Sequence, residues 1–462
     1  MKKYIIVSVF IAFYVFYFCM STGLNGSNDG GHVGLAKSVY YDQEFSVEKY
    51  YHIFVFEPDY AVKEGIKYSD RLPGTSLLIL PTFAYSNILF NMGLKSVTNT
   101  DFDVLIASIL PPLIGVLSLV LLFVFYSSFF KIDLKTAMIL TVIYGLCTLS
   151  MLESTHLYSH APSLFLVTFS VFYAVLNRNN KNWKSQLILI SIVIGLATLI
   201  ELQNILFFFL ITFYIIYSHR LKEKKTELIK SLVISSIIII LFISLLLMYN
   251  YVVFDDFMLK SNKYNPFFPE ERSFYSALSG NFFDGLDRLY TNFGNLSLYV
   301  NPYKARLNDI PGVFVSSPVI LFSLLGFVKF YKLYKPEFYL FTGCICIASI
   351  IAAMHVTTLV RHIYTVNMLS YVPIVFFVKY MLSIKDSQKK YRLKFLFIIV
   401  VLISFVRISF STISYWGRYI EDLFLFSKEL KVFFISNIPL VILLYWKKNT
   451  FKRIIFRDND YL

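Results

Sequence analysis

A chain of 462 residues that is 57% hydrophobic and only 16% charged cannot hide its apolar surface in a water-soluble globule. Many separate apolar runs reach the about 17–25 residues that carry a helix across a bilayer. The net charge of +14 does not point to nucleic acid, because the basic residues sit in short connections between apolar runs, the pattern that marks a cytoplasmic face. Four cysteines (Cys19, Cys147, Cys344, Cys346) lie in or beside apolar runs and have the spacing of neither a metal site nor a disulfide framework.

In chain order, "MKKYIIVSVFIAFYVFYFCM" has the basic flank and apolar stretch of a signal peptide but no A-x-A cleavage site, and reads as an uncleaved first span. Apolar runs follow near 76–94, 104–130, 136–153, 157–176, 187–217, 228–250, 313–330, 338–354, 364–382, 394–411 and 431–446. The connections "KIDLK" (131–135), "NRNNKNWK" (177–184), "HRLKEKK" (219–225), "KFYKLYK" (329–335) and "KDSQKKYRLK" (385–394) and the tail "KKNTFKR" (447–453) are basic and therefore read as cytoplasmic. That orientation requires two special assignments. Run 187–217 is a tight hairpin turning near "IELQN" (200–204), and run 76–94, opened by Pro73-Gly74 and containing Pro81, is a juxtamembrane or re-entrant helix. The expectation is an all-α bundle of about twelve transmembrane helices, both termini inside, forming one polytopic domain in the cytoplasmic (plasma) membrane. Two outer loops, 21–103 and 251–312, then hold 17 of the 29 acidic residues, which accounts for the charge asymmetry. No internal repeat and no low-complexity linker is evident.

The candidate chemistry gathers on the outer face. "NDGGHVGLAKSVYYD" reads as the start of an interfacial amphipathic helix, with Asp29 and His32 one turn apart on one face. Asp29 reads two ways, as the N-cap of that helix or as a sheltered general base. Asp70, before Pro73-Gly74, is either a turn residue or a second carboxylate of a site, and Arg71 beside it is its partner or an anion ligand. In "HLYSHAP", His156 and His160 have the i,i+4 spacing that can hold a metal ion, or are satisfied helix-end histidines; no H-E-x-x-H pattern surrounds them. Glu201 is an ionisable group inside an apolar hairpin, which marks a polar cavity or a solvated helix turn. In "HVTTLVRH", Arg361 and His362 face anything anionic at the membrane surface, or snorkel. Asp101 and Asp103 read as helix-capping acids, and Asn25 and Asn295 are outer sequons. P-loop, dinucleotide-fold, G-x-S-x-G and zincin motifs are all missing.

Several stretches, in this order, resemble the landmarks of one family. They are "DGGHVGLAKSVYYDQEFSVEKY" with "GIKYSDRLPGTSLLILP", then "YSHAPSLFL", "IGLATLIELQ", "NDIPGVFVSSPVILFSLLG" and "LVRHIYTVNMLSYVPIV". Together they resemble polytopic GT-C glycosyltransferases, the superfamily of the protein O-mannosyltransferases and aminoarabinose transferases, over most of the chain. Two positions depart from that pattern: Gly30 stands where mannosyltransferases often have Glu, and Arg71-Leu72 replaces Lys-Pro or Pro-Pro.

The resemblance implies a GT-C-like bundle with juxtamembrane helices in the first outer loop and a polyprenyl-phosphate-linked sugar as donor. The acceptor would be a hydroxyl of a glycan, lipid or protein, attacked with inversion at the outer face. Asp29 would be the general base. Arg361, and after it Arg71, would meet the leaving phosphate, with His32, Asp70, His156, His160, Glu201 and His362 binding substrate. No organic cofactor and no nucleic acid is implied, and a divalent metal ion stays open. The rival classes are a transporter or flippase, or a polymerase or ligase, of lipid-linked saccharides. A transporter should show internal repeats or charges through the midplane, and the sequence displays neither.

Overall fold

The computed structural model describes residues 2–21, 27–53, 60–93, 102–180, 182–220, 225–257, 264–266, 313–354 and 364–415. Arg361, His362, both sequons, the run 431–446 and most of the second outer loop lie outside the described residues.

The chain is predominantly helical. The first helices are α1 (Lys2–Met20), α2 (Ser27–Lys37), α3 (Pro73–Asn91), α4 (Phe102–Ala107), α5 (Leu110–Ser128) and α6 (Leu134–Cys147). Next come α7 (Ser150–Glu153), α8 (His160–Leu176), α9 (Trp183–Ile200), α10 (Ile205–Ser218) and α11 (Lys225–Phe254). The last among the described residues are α12 (Val313–Ser316), α13 (Leu321–Leu333), α14 (Lys335–Met354), α15 (Asn367–Tyr371), α16 (Ile374–Ser383) and α17 (Ser387–Tyr415). Five helical stretches among the described residues are long and apolar enough to cross a membrane: Phe102–Ser128, Trp183–Ile200, Lys225–Phe254, Lys335–Ala353 and Tyr364–Ser383. Four shorter apolar helices accompany them: Tyr4–Met20, Leu134–Cys147, His160–Leu176 and Leu202–Ser218. Helix α3, although 19 residues long, is not one of the five.

The apolar runs break where side chains compete for the backbone. Run 136–153 ends as a helix at Cys147, because the Thr148 hydroxyl donates to Tyr144 O (2.7 Å) and accepts from Ser150 N (3.2 Å), leaving Thr148 extended. Run 187–217 breaks at Glu201, which is extended, and a 3₁₀ turn at Leu202–Asn204 leads into α10. There the Asn204 amide donates to Ala197 O (2.9 Å), satisfying a carbonyl at the end of α9.

The all-α expectation needs one correction. Strands β1 (Tyr60–Lys63) and β2 (Ile66–Ser69) form an antiparallel hairpin in which Tyr60 pairs with Ser69 and Lys63 with Ile66. Its two-residue turn, Glu64-Gly65, has φ of +53° and +82°, the left-handed geometry that matches strand twist.

Short connections make successive helices packed neighbours: α5 lies against α6 and α8, and α9 against α8, α10 and α11. The core is a large aromatic and aliphatic cluster running from Phe13 and Tyr17 of α1 through Phe125, Phe172 and Phe341 to Phe376. Near the basic connections Glu337 is buried and pairs with Arg178, and it accepts a hydrogen bond from the Tyr214 hydroxyl (2.8 Å).

Candidate functional site

The other end of the bundle carries the polar groups. Here α2 is buried over its whole described length, from Asn28 to Lys37. This corrects the expectation of an interfacial amphipathic helix. Val33 and Ala36 pack with Ile79 and Phe83 of α3, Val104 and Ala107 of α4, and Leu157. On another side Leu35 packs with Val47, Ala61 of β1, and Tyr249, Val253 and Phe254 of α11. A helix so rich in glycine (Gly30, Gly31, Gly34) presents little side-chain bulk, so neighbours can close around it on every face.

Asp29 is fully buried and His32 is 1% exposed. Asp29 is the third residue of α2, within its first turn, and the helix begins at Ser27. The N-cap reading therefore does not describe it. A carboxylate there still gains from the helix dipole.

Asp70 is 7% exposed and held between two partners. Its Oδ1 lies 3.2 Å from Arg71 Nε, and its Oδ2 accepts from the Asn265 amide at 3.0 Å. Arg71 thus acts as the partner of Asp70, with a side chain that is still 31% exposed. The turn is seated close against the bundle: a Cβ on Gly74 would overlap the Leu199 carbonyl and the Ile200 nitrogen. Only glycine lets the start of α3 approach the end of α9 so closely.

One residue beyond Ile200, the Glu201 carboxylate is met by four donors. His160 Nδ1 lies 2.7 Å from Oε1, and the Ser159 hydroxyl donates to the same oxygen at 2.9 Å. The Ser163 hydroxyl donates to Oε2 at 3.0 Å and the Gln203 amide at 3.1 Å. Asn204 Nδ2 donates in turn to Ser163 Oγ at 2.7 Å. Burial by itself pushes the Glu201 carboxyl up, but the His160 ring and the two serine hydroxyls outweigh it and hold the group below the ordinary carboxylate range.

His156 is a different case. Residues 154–159 are non-helical and His160 is the first residue of α8, so the i,i+4 relation does not place the two histidines side by side. His156 Nδ1 meets Leu152 O at 2.8 Å, whereas His160 Nδ1 meets Glu201. Among the described residues no cluster of three or more His, Cys, Asp or Glu is placed to hold a metal ion.

Sequence reasoning passed over three groups. Lys37, 6% exposed, ends α2 and reaches Asp103 Oδ2 at 3.1 Å. Asp103 does lie in the first turn of α4, but its carboxylate also accepts from Ser86 (2.6 Å) and Tyr41 (3.1 Å). Asn265, in the second outer loop, reaches Asp70 across the fold, and no local signal announces it. Glu153, 4% exposed at the end of α7, could have been found by the criterion that singled out Glu201: a lone carboxylate in an apolar run.

No family model and no curated protein matches the chain. Among solved structures it is similar to the archaeal oligosaccharyltransferase AglB from Archaeoglobus fulgidus in complex with an inhibitory peptide and a dolichol-phosphate. The TM-score is 0.49 at 12% identity, over 89% of this chain and 56% of that one. It is also similar to an oligosaccharyltransferase of the same organism in its apo form, with a TM-score of 0.47 at 12% identity, over 88% of this chain and 56% of that one. The chain thus spans little more than half the length of these proteins.

Proposed function

We propose that this chain is a membrane glycosyltransferase that moves a sugar from a polyprenyl-phosphate-linked donor to an acceptor hydroxyl, with inversion, at the outer end of a bundle of about twelve spans. The observation that carries this reading is a convergence. The helix of Asp29 and His32 packs against α3, and the first turn of α3, just after Asp70 and Arg71, is seated on Leu199 and Ile200, next in the chain to the Glu201 carboxylate that His160 meets.

The chemistry follows from that placement. The donor carries its own leaving group, so no nucleotide pocket is required. Asp29 accepts the acceptor's hydroxyl proton as the oxygen attacks the anomeric carbon. The carbon–oxygen bond to the lipid phosphate breaks on the opposite face, and its electron pair leaves with the phosphate. A positioned base of this kind contributes about 10²–10⁴-fold. The growing charge on the phosphate calls for a fixed cation. Arg361 and Arg71 are assigned that role, with His32, Asp70, His156 and His362 around the sugar and the acceptor.

The test is transfer of labelled sugar from polyprenyl-phosphate donors by the purified chain in lipid vesicles. A covalent labelled product supports the reading. Movement of intact donor between leaflets with no bond formed would instead make the chain a transporter.

A further inference from the structure

At the end of the bundle that carries the basic connections, we infer that α13, α14 and α17 together form a binding surface for the headgroups of anionic phospholipids in the adjoining leaflet. The inference goes beyond the proposed reaction and does not depend on it.

Between Val313 and Tyr415 only Glu337 and Asp386 are acidic, and both are engaged. Glu337 is buried and bound to Arg178 and Tyr214. The Asp386 carboxylate caps α17, accepting from the backbone N–H groups of Gln388 (2.9 Å) and Lys389 (3.0 Å). The cations of the same stretch have no such partners. Lys329 and Lys332 of α13, Lys335 at the start of α14, and Lys389, Arg392 and Lys394 of α17 are all exposed. Among the described residues none of these six has a carboxylate within ion-pair distance, and Lys335 lies 5.4 Å from the Tyr331 ring instead. Two other basic connections do supply acids to their cations. Lys184 meets Glu227 at 3.2 Å, and Arg178 meets Glu337.

Aromatic packing draws these helices together. The Phe130 ring lies 5.5 Å from Tyr334, which joins α13 to α14, and 5.2 Å from Phe376 of α16. Phe397 of α17 lies 5.2 Å from Phe322 of α13 and 5.9 Å from Phe377 of α16. Like charges gathered in this way repel one another, and a bound anion relieves the repulsion. The neighbours of the cations indicate which anion. Leu325 and Val328 on α13 are exposed just before Lys329, and Phe395, Ile398 and Leu402 on α17 are exposed just after Lys394. Each of these helices therefore presents an apolar flank that ends in cations. That is the profile of a phospholipid, with acyl chains along the flank and a phosphate at the lysines. The exposed rings of Tyr331, Tyr339 and Tyr391 lie among the same cations, as tyrosines do at headgroup level. An acidic soluble partner would match the charges but not the apolar flanks.

The experiment uses the full chain in nanodiscs that mix phosphatidylcholine with phosphatidylglycerol. A fluorophore is attached at Ile398→Cys in a background lacking the four native cysteines. Bromine on the acyl chains of one lipid or the other quenches it at short range, so the ratio of the two quenching efficiencies reports lipid preference. Phosphatidylglycerol should be preferred by about fivefold or more at low salt, the contribution of one lysine near an anionic surface. The preference should shrink at 1 M NaCl, where the Debye length is about 3 Å. The triple variant Lys389→Gln, Arg392→Gln, Lys394→Gln should bring the ratio close to one and leave quenching by phosphatidylcholine unchanged. Lys332→Gln with Lys335→Gln should lower the ratio in part, although both lie far from the fluorophore in sequence. A fluorophore at Ile192→Cys, two turns beyond the paired Lys184, should report a weaker preference than one at 398. A ratio near one at 398 in the otherwise unaltered chain overturns the inference. Equal ratios at 192 and 398 overturn it too, because they reduce the preference to a general property of basic connections. Loss of the preference on adding inorganic phosphate at constant ionic strength would assign the surface to free anions, and likewise overturns it.

Discussion

Lys37 Nζ lies 3.1 Å from Asp103 Oδ2, and the bond joins the last turn of the helix that carries Asp29 to the first turn of α4. Both side chains are largely buried, at 7% and 16% exposure. Lys37 also lies 5.5 Å from the Tyr50 ring, and Asp103 reaches α3 through Ser86. One ion pair thus ties the end of α2 to α4 and, through Ser86, to α3.

Lys37→Met should therefore destabilise the protein by about 1–3 kcal/mol, because the Asp103 carboxylate loses its charge partner while keeping the hydrogen bonds from Ser86 and Tyr41. Lys37→Met combined with Asp103→Leu should cost clearly less than the sum of the single changes. Thermal unfolding of the four proteins in one detergent measures the coupling. Additive losses would reduce the pair to a surface-like contact.

Asp29→Asn separates a structural role from a catalytic one. Asn is nearly isosteric and keeps one acceptor oxygen in the first turn of α2, so folding and donor binding should persist. Asn cannot take the proton of the acceptor, and transfer should fall by about two to four orders of magnitude. The measurement is sugar transfer beside thermal stability and donor binding. Near-normal transfer would move the search for the base to Asp70.

The orientation is tested at three exposed positions. Single cysteines at Glu44, Asn182 and Gln388, in a background lacking the four native cysteines, should divide into two classes. An impermeant thiol reagent added outside should label position 44 and spare 182 and 388. Outside labelling at 182 would invert the assignment of the basic connections.

Gly74→Ala probes how the Asp70–Arg71 turn is seated. The added methyl meets backbone of α9, which cannot swing aside as a side chain can. A loss of about 1–3 kcal/mol is expected, the usual range for overpacking. Donor affinity should fall with it, because the displaced turn carries Arg71, to which the proposed function gives a phosphate contact. Thermal unfolding and donor titration check the two effects separately.

The sequence by itself determined what depends on local spacing. The apolar runs, the basic connections between them, and the interruption of run 187–217 near Glu201 were legible because hydrophobic length and helix punctuation act over a few residues. Asp29, Asp70, His160 and Glu201 stood out as well, since a charged group beside a long apolar run is costly to keep there, and the fold buries all four. Their partners did not. His160 was read with His156, four residues away, and the fold gives it Glu201 instead, 41 residues on, because the chain before α8 is not helical. Asp103 was read as a helix cap, and the fold brings Lys37 to it from a different segment. The burial of α2 on every face was decided by α3, α4, α11 and the turn at Leu157 closing around it together. Which charge neutralises which is settled only when distant segments exclude water from a shared space, and no local pattern encodes that.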